Sequence, residues 1–339
     1  MANLFSSFIR ANPAYVMPEI IMQYAQASGF TELLAGRDLM PRLGEADLRV
    51  YAKSLALRTQ VAQGQVASNV LPTVTLQPQE YSTPSYLLRV HAQYDHHDIA
   101  AGGAWGVGVP EAQRLGMRQA IFQQVRTLAL FGGTGAGEGI LNTQGATTTN
   151  LPADSFGNTT ISTYDNGQMA LFLLSLFAAI LARTNQTGQP QRIAVLAPQR
   201  VYLQWELVGV VQLTQFQRDG AGVATTGEMI RSIAEGIGLE IDFAVDDTLI
   251  NAGAGGDTDA IVIVMPEVKR PVGHKVNTNE FAELTQGLAA TTIQLCDMVA
   301  PREIPTPMPY GVTDVMQELR ATPGWALRPE CVTILSAAF

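Results

Sequence analysis

The clearest periodic signal in the chain lies between Pro110 and Phe131. Met117, Ile121, Val125 and Leu128 recur at helical spacing, with Leu115, Phe122 and Ala129 on an adjoining stripe, while Arg114, Arg118, Gln124 and Arg126 fall largely outside both. Pro110 and Glu111 suit a helix start, proline because its missing N–H is not needed there and glutamate because it meets the positive end of the dipole. At about 1.5 Å per residue the helix spans roughly 30 Å, and Gly132-Gly133 stops it. A second helix, from about Asp165 to Arg183, is apolar nearly all round and is expected to be buried between layers.

Other stretches read as extended. Val70–Leu76 and Tyr86–His91 are strand-like and flank a polar turn that carries Gln77, Pro78, Gln79 and Glu80. Prolines at 72, 78 and 84 point to an edge or a free-standing hairpin, a unit that is marginal without a partner surface. Residues 1–45 hold short helical pieces such as Pro18–Ala25, interrupted by Pro13, Pro41, Gly29, Gly36 and Gly44; such a stretch cannot close a core of its own. Beyond the loop Asn185–Pro190, the pattern predicts a strand at Arg192–Leu196, a helix from Pro198 to Trp205 and another from Gly227 to Gly236. It continues with a half-exposed strand at Leu239–Val245 and a central buried strand at Ala260–Met265. Residues 270–310 are mixed and proline-punctuated; a short helix at Thr313–Ala321 and a strand at Cys331–Leu335 close the chain.

Length alone allows about two compact units at roughly 150 residues each. No basic start followed by an apolar core marks a secretory signal, and the longest apolar run, Met169–Ala182, falls short of the roughly 18 residues that span a bilayer. A soluble chain is expected. The net charge of −9 argues against a dedicated nucleic-acid binder. The charged fraction of 15% is low beside a typical value of about 25%. Lysine is confined to Lys53, Lys269 and Lys275, so the rest of the 21 basic residues are arginine. Interface cores lose charge and favour arginine, whose planar, weakly hydrated head suits partly buried ion pairs, so the composition leans towards an oligomer.

Little in the sequence points to chemistry. The glycine-rich turn Gly132–Gly139 follows a helix instead of a strand, has no phosphate-reaching lysine, and places Glu138 where a cation is wanted; a nucleotide-binding enzyme built on it is the weakest of the readings. His91, Asp95 and His97 would share one face if they lay on a strand, which leaves room for a bound ion, although the remaining ligand supply is thin and a polar strand end before a turn fits as well. Asp246-Asp247 is expected to be a solvated turn. Cys296 and Cys331 lack CxxC spacing, as in a reducing compartment. No catalytic, cofactor-binding or metal residues are assigned, and no cofactor is expected.

The order of parts carries more. A broken N-terminal arm leads to an extended hairpin, then to a long amphipathic helix ending in Ala129-Leu130-Phe131-Gly132-Gly133. Glu138-Gly139-Ile140-Leu141-Asn142-Thr143 follows, and then a separate α/β unit. This order, with its Gly-Ile-Leu-Asn turn, resembles the major capsid proteins of tailed bacteriophages, whose fold is shared with encapsulins and the floor of herpesvirus shells. The resemblance implies an α+β fold. Residues 1–45 would form the N-terminal arm, 46–95 an extended β-hairpin loop, and 96–185 a peripheral domain with spine helix 110–131. Residues 186–305 would form the axial α/β domain, and 306–339 would return to the peripheral domain. It further implies hexamers and pentamers in an icosahedral shell around double-stranded DNA, with no enzymatic activity, located in the virion and in the host cytoplasm during assembly. An encapsulin-like nanocompartment is the alternative. Lys53 at the base of the hairpin makes covalent cross-linking unexpected. Scaffolding, portal and decoration proteins would be separate, and no membrane partner is implied.

Overall fold

A computed structural model describes residues 42–58, 75–104, 106–133, 137–184, 191–207, 225–268, 292–298 and 300–339. The expected arm up to residue 41, the strand residues 70–74, the loop 185–190 and the positions of Lys269, His274 and Lys275 lie outside the described residues.

In chain order, the elements begin with β1 (Arg49–Arg58), β2 (Thr75–Pro84), β3 (Tyr86–Tyr94), α1 (His96–Ala104), α2 (Val109–Phe131) and β4 (Thr147–Asn150). Next come α3 (Asn166–Arg183), β5 (Gln191–Ala197), α4 (Gln199–Leu207), α5 (Thr226–Gly236), β6 (Leu239–Val245) and β7 (Asp259–Val264). The last are β8 (Ile293–Gln294), β9 (Arg302–Pro307), β10 (Thr313–Ala321), β11 (Trp325–Ala326) and β12 (Val332–Ala337).

A five-stranded sheet in the order β4-β12-β7-β5-β6 forms the main core. Its strands alternate sides as period-two geometry demands. Ile193, Val195, Ile261, Ile263 and Leu335 face a cluster with Leu173, Phe177 and Ile180 of α3, Trp205 of α4 and Ile230 of α5. Ala194, Leu196, Val262, Val264 and Ile334 face a second cluster that contains Ala129 and Leu130, at the end of α2, together with Ile140, Leu249 and Ile293. β7, buried along its whole length, is the central strand that its apolar run predicts.

A smaller sheet, β3-β10-β9, is antiparallel throughout and packs against α2. Its middle strand corrects the sequence reading: Thr313–Ala321 is β10, not a helix. Val315, Gln317, Leu319 and Ala321 are buried while the residues between them are partly exposed, and pairing on both edges overrides the helical preference of Gln-Glu-Leu-Arg.

The hairpin also differs from expectation. β2 pairs antiparallel with β1, from Arg49↔Pro84 to Arg58↔Thr75, so the stretch read as a turn at 77–84 is itself a strand. Tyr86–His91, expected to pair with Val70–Leu76, lies in β3 and belongs to the smaller sheet. A two-stranded ribbon leaves one side of each strand unpaired, which is why Pro78 and Pro84 are tolerated in β2.

α3 is not enclosed on all sides, as its apolar sequence suggested. Met169, Ala170, Leu173, Phe177, Ile180 and Leu181 are buried, but Leu171 is 54% exposed and Ser175, Ala178, Ala179 and Ala182 face outward. Within the described residues α3 packs against α5 and β12.

Candidate assembly surfaces

The end of α2 is held by contacts from several elements. Gly132 caps the helix at φ 80°, and its amide donates to the Leu128 carbonyl. The Asn142 side chain donates to the Phe131 carbonyl at 2.9 Å, satisfying an acceptor that the helix itself leaves unpaired. Gly139 sits at φ 86°, and a Cβ there would lie 2.4 Å from the Gly132 nitrogen; no other residue fits. Ile140, fully buried, anchors the turn in the second core cluster. Each position of the Gly139-Ile140-Leu141-Asn142 motif thus has a physical task, except that Leu141 is only partly buried.

Glu138 is tied to both sides of this turn. Its carboxylate accepts the Gly133 amide at 3.0 Å and the Tyr86 hydroxyl at 2.9 Å. The Tyr86 ring lies against Gly133, where a Cβ would come within 2.5 Å of it. An anion-binding loop needs its amides free; here a carboxylate already occupies one of them. Gly324 completes the joint, with its carbonyl accepting the Gly139 amide at 3.1 Å and its Cα packed on the end of α2.

Two ionic contacts hold buried carboxylates. Asp246, expected in a solvated turn, is fully buried; its Oδ1 accepts the Thr248 amide and hydroxyl, and its Oδ2 lies 3.7 Å from Arg126 Nε on α2. Asp247 caps α4 by accepting the Gln199 amide at 2.8 Å. Asp259, also fully buried, takes two hydrogen bonds from Arg200, at 2.8 and 2.6 Å, and the Arg200 guanidinium stacks 4.8 Å from the Phe339 ring centre. The sequence signal for both was available as an acidic residue at the end of an apolar strand; what it could not give was the arginine facing each from another element.

The histidines do not gather as a strand would have them. β3 ends at Tyr94 and α1 begins at His96, so His91 and His97 lie on different elements. His91 pairs with Asp314 across the small sheet at 3.4 Å, whereas Asp95 accepts the Asp98 amide at 2.8 Å and so starts α1. His96 and His97 stack on each other with ring centres 3.9 Å apart. No three His, Cys, Asp or Glu side chains among the described residues form a metal-sized cluster. Both cysteines are buried, and burial pushes the Cys331 thiol up to about 12, with Glu330 adding to it. A shallow cleft of about 390 Å³ beside β6 is lined by Arg192 and Arg231. Arg192 is committed to Asp242, and Arg231 to Glu206, Tyr202 and the Phe243 ring. No helix among the described residues is long and apolar enough to cross a membrane.

What the subunit leaves open is surface. Among the described residues the β1–β2 ribbon pairs with no third strand, and Leu48, Tyr51 and Tyr81 on it or at its base are exposed. Its base is tied down: Ser85 hydroxyl donates to the Asp47 carbonyl, and the Tyr81 ring meets Trp325 edge-on at 6.2 Å. On α2, Leu115 and Phe122 are 41% and 48% exposed, so two of the three residues of the adjoining apolar stripe face away from the subunit core, while Ala129 is buried in it.

No family model and no curated protein matches the sequence. Solved structures do match, over nearly the whole chain. The capsid of Myoviridae phage XM1 superposes with a TM-score of 0.71 at 11% identity, covering 96% of each chain. This chain has a phage capsid fold. Gordonia phage Cozz matches at TM-score 0.55 and 12% identity over 97% of this chain and 92% of that one. The capsid of cyanophage P-SCSP1u matches at TM-score 0.54 and 14% identity over 98% and 94%. Identity this low, with a shared architecture, fits a capsid fold held by pattern and packing in place of particular residues.

Proposed function

We propose that this chain is the major capsid protein of a tailed bacteriophage, self-associating into hexamers and pentamers that close an icosahedral shell around double-stranded DNA. The observation that carries this is the β1–β2 ribbon, which has no third strand among the described residues. An isolated two-stranded ribbon is marginal in water, so a neighbour is the natural source of its missing surface. Heterologous contacts of this kind generate rings. The capsid fold gives the same reading from an independent direction.

In this proposal residues 1–45 are the arm, α2 is the spine of a peripheral domain with the small sheet β3-β10-β9, and the axial domain is the five-stranded sheet, which takes β4, α3 and β12 from outside 186–305. The extended loop is narrower than 46–95, because β3 belongs to the peripheral sheet. The net charge of −9 suits a container that need not grip its DNA. The protein acts through contacts and not catalysis, in the virion after assembly in the host cytoplasm. Scaffolding, portal and any decoration proteins are separate chains.

The ribbon register supplies the test. Ala52 and Tyr81 are cross-strand partners, so residues 53–80 can be replaced by an Asn-Gly turn without disturbing the base. Expressed in place of the natural chain, this variant should fold and fail to close shells. Closed shells at normal yield would overturn the role given to the ribbon.

A further inference from the structure

The residues that lead into the ribbon are fastened to the body of the subunit by polar contacts. Within residues 42–48 only Leu43 is buried, and it joins neither of the two apolar clusters. The Arg42 guanidinium donates to Asp297 Oδ1 at 2.8 Å, and the Leu43 amide donates to the Asp297 carbonyl at 2.9 Å. Glu45 pairs with Arg302 of β9 at 2.6 Å. The Asp47 carbonyl accepts from the Arg320 guanidinium at 3.4 Å and from the Ser85 hydroxyl, while its carboxylate accepts the Gly44 amide. Arg42 and Glu45 are 56% and 62% exposed in their side chains. Ion pairs so open to water contribute little, so a strap made of them parts readily.

Asp297 is the exception in this set, because its side chain is only 21% exposed. It follows Leu295 and Cys296, both buried, and bridges to Ala321 at the end of β10. Burial raises its pKa above the ordinary 3.8, and the charge and hydrogen bond of Arg42 offset that only in part. The neighbouring charges are engaged elsewhere: Arg302 with Glu45, and Glu318, its partner across β9 and β10, with Arg89. Acid therefore acts on the body and on the strap in opposite directions. A raised folded pKa means that the neutral acid suits the body, so the stability this group contributes is present at low pH and lost as pH rises through the folded value. The Arg42 contact favours the carboxylate instead, and it weakens when Asp297 takes up a proton.

We propose that residues 42–48 form an acid-released strap, in which protonation of Asp297 frees the junction leading into the ribbon while the body of the subunit stays folded. The device lies within one subunit, so it goes beyond the shell reading and does not depend on it. Asp47 and Ser85 also tie the base of the ribbon, so release of the strap loosens the ribbon's footing.

The test follows the protection of the Leu43 amide against hydrogen exchange, corrected for the intrinsic rate, beside the melting temperature of the full-length chain. In the natural chain protection should fall as pH drops from about 7 to about 4, because protonation begins above the ordinary carboxylate range. At about pH 7, Asp297→Asn should lower Leu43 protection on the order of tenfold without lowering the melting temperature, since a neutral amide replaces a desolvated charge. Arg42→Gln should lower protection to a similar degree and remove its dependence on pH. Leu43 protection equal to that of the natural chain in both variants would overturn the strap. So would a melting temperature of Asp297→Asn that falls together with protection, or a natural chain that releases Leu43 only when the whole subunit unfolds.

Discussion

The Tyr86 hydroxyl donates to the Glu138 carboxylate at 2.9 Å, joining the first residue of β3 to the turn that ends α2. The same carboxylate accepts the Gly133 amide. Charge-assisted bonds of this kind are stronger than neutral ones, so the turn is held from both the sheet and the helix side. Glu138→Ala should destabilise the subunit by about 2 kcal/mol in chemical denaturation. Glu138→Gln should cost roughly half as much, since an amide oxygen still accepts. Neither variant nor the natural chain should bind ATP or NAD in a titration; micromolar binding would contradict the structural role of the turn.

Arg126 and Asp246 carry the contact between α2 and the end of β6. The carboxylate is fully buried, and neither Arg126 Nε nor Asp246 Oδ2 has a hydrogen-bond partner among the described residues. Removing the cation therefore strands a buried charge. Arg126→Met should cost about 3 kcal/mol, and adding Asp246→Asn should recover part of that loss. Equal stability of the natural chain and Arg126→Met would mean that the 3.7 Å approach contributes nothing.

Gly324 packs where no side chain fits, because a Cβ would lie 2.2 Å from the Ala129 carbonyl oxygen and 2.7 Å from Ile140. Gly324→Ala should force the end of α2 away from the sheet and cost about 2–3 kcal/mol, read as a lower melting temperature. Gly255, at φ 90° with open space around it, provides a contrast: there alanine is opposed only by backbone conformation.

Asp154 sets an acid limit. Burial alone would raise its pKa, but the amides of Asn158, Asp165 and Phe156 and the Asn158 side chain together lower it below the ordinary 3.8. A carboxylate lowered in the folded state contributes stability that is present above its unfolded value and lost as pH falls through the folded one. The melting temperature of Asp154→Asn should therefore lie below that of the natural chain near pH 7, and the gap should shrink at about pH 2.5. A gap that does not change with pH would assign the effect to packing.

Periodicity located the elements whose partners are local or whose apolar run is unbroken. α2, β6 and β7 match their patterns closely, and the Gly139–Asn142 turn was legible because its residues act on the helix just before it. The errors share one cause, which is pairing across long sequence distance. β10 draws its strand character from β3, more than two hundred residues upstream, so Glu318 and Arg320 looked helical in isolation. β2 looked like a turn because its prolines and glutamines carry no alternation, and only pairing with β1 makes them a strand. Asp246 looked solvated because Arg126 lies far away in the chain. α3 looked fully enclosed because most of its outward residues are alanines and Leu171, which hydrophobicity cannot separate from core.

Self-association is the claim on which the rest depends, and sedimentation velocity of the full-length chain, followed by electron microscopy of the fastest species, tests it most directly. The expected result is a boundary far heavier than the 36.4 kDa subunit, with rings or closed shells in the images. A single monomeric boundary that persists at high concentration, with no assembled particles, would contradict it.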